Sequence, residues 1–121
     1  MELLGKLRQR EDAHDPIRVG IVGCGRMGTA LAHTIEDVPG MQVHAVADLD
    51  PDRAIQTLLD IGWADEDIVV TENHGEAEDA VRRGEVVVTP DALLLPQLET
   101  IEVNVEATGL HLGSQIESQW L

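Results

Sequence analysis

Cysteine occurs once in the 121 residues, at Cys24, which excludes an internal disulfide framework and a cysteine-rich metal centre. Lysine also occurs once, at Lys6, and all bases together number eight against 23 acids, a net charge of −15. So negative a chain argues against nucleic acid and anionic lipid as partners, since both are gripped through basic patches. There is no run of about eighteen apolar residues, so no membrane-spanning helix is expected. The opening residues, MELLGKLRQRED, lack the basic-then-apolar order of an export signal, and a cytoplasmic location is expected. Internal repeats and low-complexity tracts are missing as well. The acids are spread along the chain rather than massed in a tail. An acid-rich, lysine-poor composition fits a halophilic setting, where ions screen the self-repulsion. The length leaves room for one domain with one modest core.

What is present is concentrated in residues 17–48, IRVGIVGCGRMGTALAHTIEDVPGMQVHAVAD. An apolar run over residues 17–22 enters a turn with glycines at Gly23, Gly25 and Gly28, and a helical pattern follows. In that helix Met27, Leu31, Thr34, Ile35 and Val38 recur at three- and four-residue spacings and are expected to face inward. A second apolar run, residues 43–47, ends on Asp48, twenty residues after Gly28. Strand, glycine turn, helix, strand and acid in this order suit a dinucleotide. Gly23 permits the tight turn, Gly25 lets backbone approach a pyrophosphate, and Gly28 lets the helix lie against the sheet. The first helical turn offers unpaired amides and a positive dipole end to phosphate. Asp48 is placed to accept hydrogen bonds from the adenosine ribose, which should favour NAD over a 2′-phosphorylated cofactor.

The rest of the chain continues the alternation. Residues 2–12 read as a helix with Leu3, Leu4 and Leu7 on one face, stopped by Pro16. Asp50 and Pro51 start a helix carrying Ala54, Ile55, Leu58 and Leu59 inward, which Gly62 ends. Residues 68–71 are a short strand. Asn73 and Glu76 resemble a capping box opening a helix with Ala77, Ala80 and Val81, closed by Gly84. Residues 86–89 form another strand. Thr89, Pro90 and Asp91 open a brief helix through Leu93 and Leu94 that Pro96 bends or ends. Residues 101–107 are the next strand, followed by Thr108 and Gly109. Alternating strands and helices predict an α/β fold, Rossmann-like, a parallel sheet with helices on both faces, truncated after the fourth or fifth strand.

Several of these stretches together resemble the homoserine-dehydrogenase-like NAD(P)-dependent oxidoreductases that carry a C-terminal SAF domain. The resemblance lies in LRQREDAHDPIRVGIVGCGRMG, in AVADLDPDRA, and in AVRRGEVVVTPDALLL with IEVNVEATG, covering about residues 7–109. The GRMG turn is also similar to that of dihydrodipicolinate reductases. The resemblance implies a leader helix (residues 1–15), an NAD(P)-binding Rossmann domain (16–109) and a divergent tail (110–121). The family's next helix, fifth strand and catalytic domain do not follow in the sequence. The reading is therefore the nucleotide-binding part of a dehydrogenase or reductase, inactive by itself, with its small-molecule substrate held by a missing domain. The alternative is a non-catalytic module that binds NAD or another adenine nucleotide and reports on it to a partner. Leu3, Leu4 and Leu7, with Leu110, Leu112, Ile116, Trp120 and Leu121, offer apolar surface for self-association or for a second polypeptide.

The candidate cofactor-binding residues are thus Gly23, Cys24, Gly25, Arg26, Met27, Gly28, Asp48, Thr108 and Gly109. Cys24 reads as a small space-filler between glycines. Arg26 in the turn is placed to reach a 2′-phosphate, so NADP remains possible beside NAD. Arg53 is a second such candidate, with salt bridging on its own helix as the alternative. Thr108 and Gly109 would line the nicotinamide side, or form a plain turn. His14, His33, His44, His74 and His111 show no metal-ligand spacing and read as surface or helix-face residues. No catalytic acid, base or nucleophile is identifiable.

Overall fold

Five short apolar strands and four helices alternate along the chain in the computed structural model, which describes residues 2–13, 15–23 and 25–107. The helices are α1 (Glu2–Asp12), α2 (Arg26–Glu36), α3 (Pro51–Asp60) and α4 (His74–Arg82). The strands are β1 (Ile17–Val22), β2 (Met41–Ala47), β3 (Ile68–Val70), β4 (Val86–Thr89) and β5 (Val103–Glu106). They form one sheet in the order β3-β4-β2-β1-β5, and every pairing is parallel. From β1 the chain lays β2 beside it, goes to the far edge for β3, and returns to insert β4 between β2 and β3. It then crosses to the other side of β1 to lay down β5. The strand order therefore reverses between β1 and β5, a topological switch point of a Rossmann-like α/β sheet.

Parallel strands need both faces covered, and two apolar clusters do this. On one face Val19, Ile21, Val43, Val46, Val86 and Val88 pack against Ala32 and Ile35 of α2 and Ala54 and Leu58 of α3. On the other, Ala45, Ala47 and Val87 meet Ala77, Ala80 and Val81 of α4 together with Leu94, Leu95, Leu98 and Ile101. Small alanines on both sides of this second contact let α4 lie close to the sheet. At the amino ends of the strands, α1 buries Leu7. Its Arg10 donates to both carboxylate oxygens of Glu102 just before β5, at 2.6 and 3.2 Å. The guanidinium holds the Glu102 carboxyl below its ordinary range. Leu7 is thus core rather than exposed apolar surface, and the tail residues 110–121 lie outside the described residues.

The inward face of α2 differs from the expected one. Gly28, Ala32 and Ile35 are buried, while Met27 is 44% exposed and Thr34 is also exposed. Gly28 lies directly against the Gly23 carbonyl just past β1, which leaves no room for a side chain at that point of the helix. In α3 the buried residues are Ala54, Thr57 and Leu58, with Leu59 turned outward. β2 begins two residues earlier than the apolar run and carries a bulge: Val19 pairs with Val43 but Gly20 with Ala45, so His44 is extra. His44 is consequently buried rather than on the surface. Its Nδ1 lies 3.0 Å from the Glu85 carbonyl, its Nε2 lies 2.9 Å from Gln42, and Trp63 packs edge-on against its ring. The expected helix around residues 91–94 is a turn followed by a 3₁₀ segment, Leu95–Gln97, with Pro96 inside it. The last strand shrinks to Val103–Glu106 because Ile101 is drawn into the second core instead.

Candidate functional site

Hydrogen bonds stitch the carboxyl ends of the strands into a continuous rim. Ala107 N donates to Val22 O, Gly23 N to Ala47 O, Asp48 N to Thr89 O, and Thr71 N to Val88 O, at 2.6–3.0 Å. Three of these strand ends also use one local device, a side-chain oxygen that accepts from the amide two residues on. Asp48 Oδ1 accepts from Asp50 N, Thr71 Oγ1 from Asn73 N, and Thr89 Oγ1 from Asp91 N, at 2.8, 3.0 and 3.1 Å. Such turns satisfy backbone amides that leave the sheet and fix the direction of each loop.

Above β1 the three motif glycines have distinct surroundings. Gly23 has φ +95°, a left-handed conformation that side chains disfavour. A Cβ on Gly28 would stand 1.8 Å from the Gly23 carbonyl oxygen, with Ala107 Cβ 3.7 Å away. The helix start, the glycine turn and the end of β5 therefore meet at the switch point. Gly25, the N-cap residue of α2, is different: its backbone is extended, and a Cβ there would have nothing within 4 Å. Among the described residues no packing contact requires glycine at this position. Gly25 has no side chain to cap the first-turn amides, and that turn holds no acid. These are the conditions in which a helix start accepts an anion from elsewhere. Arg26 and Met27 are exposed beside it. Cys24, Thr108 and Gly109 lie outside the described residues.

Asp48 closes the rim next to β1 with its side chain only 2% exposed. Its carboxylate is already engaged. Arg53, in the first turn of α3, donates Nε to Oδ2 at 3.2 Å and Nη2 to Oδ1 at 2.9 Å, a bidentate fork. The fork is possible because the N-cap turn at Asp50 and Pro51 folds α3 back over the strand end. Arg53 thus pairs with the rim acid, and 52% of its side chain faces solvent.

A recess of about 270 Å³ opens on the other side of the switch point, lined by Val22, Ala92, Leu93, Pro96, Asn104 and Glu106. Leu93 is 72% exposed at its lip. The sequence reading missed this recess, because it is formed by the non-periodic stretch after β4 folding against β5. The Leu-Leu-Leu-Pro sequence at residues 93–96 was the available signal. The perturbed ionisable groups lie elsewhere. Burial holds the His44 imidazole below its ordinary value, and burial raises the Glu36 carboxyl. In Glu78 the effect of burial is outweighed by hydrogen bonds from the Thr100 hydroxyl and the amides of Glu99 and Thr100, which hold the carboxyl below its usual range. Among the described residues no three His, Cys, Asp or Glu side chains are grouped to hold a metal ion. Nor is any described helix long and apolar enough to cross a membrane.

No family model matches the chain. Two curated proteins, both called glycosyl hydrolase family 109 proteins, are similar to it. The one from Streptomyces filamentosus is 28% identical over 112 residues, spanning 86% of this chain and 23% of the relative. The one from Saccharopolyspora erythraea is 28% identical over 118 residues, spanning 90% of this chain and 26% of the relative. The chain therefore matches about a quarter of the length of these relatives.

Proposed function

We propose that the chain is the NAD(P)-binding part of an oxidoreductase, holding a dinucleotide across the switch point between β1 and β5. The observation that carries this reading is the contrast among the glycines. Gly23 and Gly28 are required by the protein's own geometry, whereas the space beside Gly25 is open and fronts the uncapped start of α2. In this reading the first-turn amides of α2 receive the pyrophosphate. Gly23, Gly25 and Gly28, with Arg26 and Met27, form the cradle. Asp48 marks the adenosine-ribose end, and the apolar recess at Leu93 and Pro96 flanks the nicotinamide end. A nicotinamide dinucleotide supplies hydride transfer; the chain's residues bind and orient it. A proton donor and a surface that places the substrate carbon are also needed for turnover, and no described residue near the rim is set up for either.

We place those groups in further polypeptide, in keeping with relatives some four times as long. The motif order supports a homoserine-dehydrogenase-like reductase. A second reading takes its support from the relatives' name, which points to glycosides as the substrate class instead. The 121-residue chain is expected to bind cofactor but to reduce no NAD with homoserine or similar hydroxy acids. Substrate-dependent NAD reduction by this chain alone would show that the catalytic groups are already present in it.

The binding test uses Gly25→Val. A branched side chain is accommodated by the extended backbone and the open space, so stability should change by about 1 kcal/mol or less. NADH affinity, followed by fluorescence titration, should fall by about tenfold or more as the pyrophosphate space fills. Unchanged affinity in a folded variant would remove the dinucleotide from this site.

A further inference from the structure

We propose that Arg53, through its grip on Asp48, decides which dinucleotide the site takes, and that it makes the 2′-phosphorylated form acceptable. The inference rests on the dinucleotide reading above and assigns the chemistry of its adenosine end. An acid at the end of the second strand ordinarily selects a free ribose diol, because a carboxylate accepts from both hydroxyls and repels a phosphate. Asp48 is not placed to act so simply. Three hydrogen bonds already reach its two oxygens, one from the Asp50 amide and two from the Arg53 fork. With its side chain 2% exposed, Asp48 offers a ribose little surface unless Arg53 moves.

The charge seen from outside is also altered. The fork neutralises the carboxylate and leaves the more exposed partner, the guanidinium, as the group that faces solvent at this point of the rim. A guanidinium holds its charge at any working pH and presents planar, multidentate N–H geometry suited to phosphate. The acid thereby becomes a support that orients Arg53. A 2′-phosphate meets the exposed side of Arg53, while a free diol must compete with Arg53 for Asp48. The high overall negative charge opposes any phosphate at long range, so the local cation is what makes the phosphorylated cofactor tolerable.

The experiment measures NADH and NADPH affinities by fluorescence titration of the 121-residue chain and of three variants. In the wild type, NADPH should bind as tightly as NADH or within about tenfold of it. Arg53→Gln should lower the NADPH-to-NADH affinity ratio by about tenfold or more. Because that change leaves a buried carboxylate without its cation, the same comparison is made between Asp48→Asn and the double variant Asp48→Asn with Arg53→Gln. Asp48→Asn should raise the ratio, and adding Arg53→Gln should abolish the gain. Rising potassium chloride should weaken NADPH binding more than NADH binding in the wild type and not in Arg53→Gln. A ratio that Arg53→Gln leaves unchanged in both backgrounds overturns the proposal, as does wild-type binding of NADH with NADPH more than about a hundredfold weaker. Failure of both dinucleotides to bind the folded wild type overturns the dinucleotide reading itself.

Discussion

Gly28 has no room for a methyl group. A Cβ there would collide with the Gly23 carbonyl oxygen, a backbone atom that cannot swing aside as a side chain does. Gly28→Ala is therefore expected to push α2 off the sheet at a cost of about 1–3 kcal/mol, visible as a lowered melting temperature, and to weaken NADH binding. A variant as stable as the wild type would show that the helix start relaxes freely. His44 carries a second prediction at this scale. Burial, with Arg18 nearby, holds its folded pKa below the ordinary 6.5, so the unfolded chain takes up the proton first. Stability is then fully present above about pH 6.5 and is lost as pH falls below it toward the folded value. Denaturant unfolding at pH 7.5 and 5.5 should show the loss in the wild type and a smaller loss in His44→Gln. Gly23 and Gly28 were readable in the sequence because each answers a local need, a left-handed turn at one and a close backbone approach at the other. The Asp48–Arg53 fork and the burial of His44 were not. The first depends on a cap turn that folds a helix back on a strand end, and the second on a bulge that changes which residues face the core.

Among the elements, α4 shows how a short helix is tied down at both levels. Asn73 Oδ1 accepts from Glu76 N at 2.8 Å, half of the reciprocal capping box that the sequence suggests. The other half is replaced, since the Asn73 amide is taken by Thr71 Oγ1. Further along the helix, the buried Glu78 carboxylate accepts from the amides of Glu99 and Thr100 at 2.9 and 3.2 Å and from the Thr100 hydroxyl at 2.5 Å. It thus pins the segment leading into β5. Glu78→Gln places an amide NH₂ against those donors and should cost about 1–3 kcal/mol. In hydrogen exchange, the amides of residues 99 and 100 should lose protection before the rest of the sheet does. Equal protection in both proteins would show that the segment is held by its leucines alone. Elements with clear bounds, such as α1 ahead of Pro16 and β1 as an apolar run into the glycine turn, were legible from the sequence. Residues 90–101 were not, because a leucine run around a proline has no period, and only tertiary packing decides between helix and 3₁₀ turn.

At the scale of the whole molecule the excess of acid dominates. With a net charge of −15 on 121 residues, the compact state suffers more self-repulsion than the expanded one. Melting temperature should therefore rise between low and molar potassium chloride, and a flat profile would overturn the reading of this composition as one suited to high salt. The α/β class and the parallel sheet were legible because the alternation of patterns runs through the chain. The position of β3 at the far edge was not, since strand order is decided by crossovers rather than by composition. The place of β5 has a kinetic consequence. β1 is the first strand in the chain, yet its second neighbour is the last one described, with Val19 paired to Val103 and Val22 to Glu106. A central strand with one partner so remote must wait for nearly the whole domain before its second ladder can close, and loop closure on that scale slows folding. During synthesis the flank of β1 beside the glycine turn stays open until residue 106 has emerged, so the groove between β1 and β5 is the last part of the described sheet to exist.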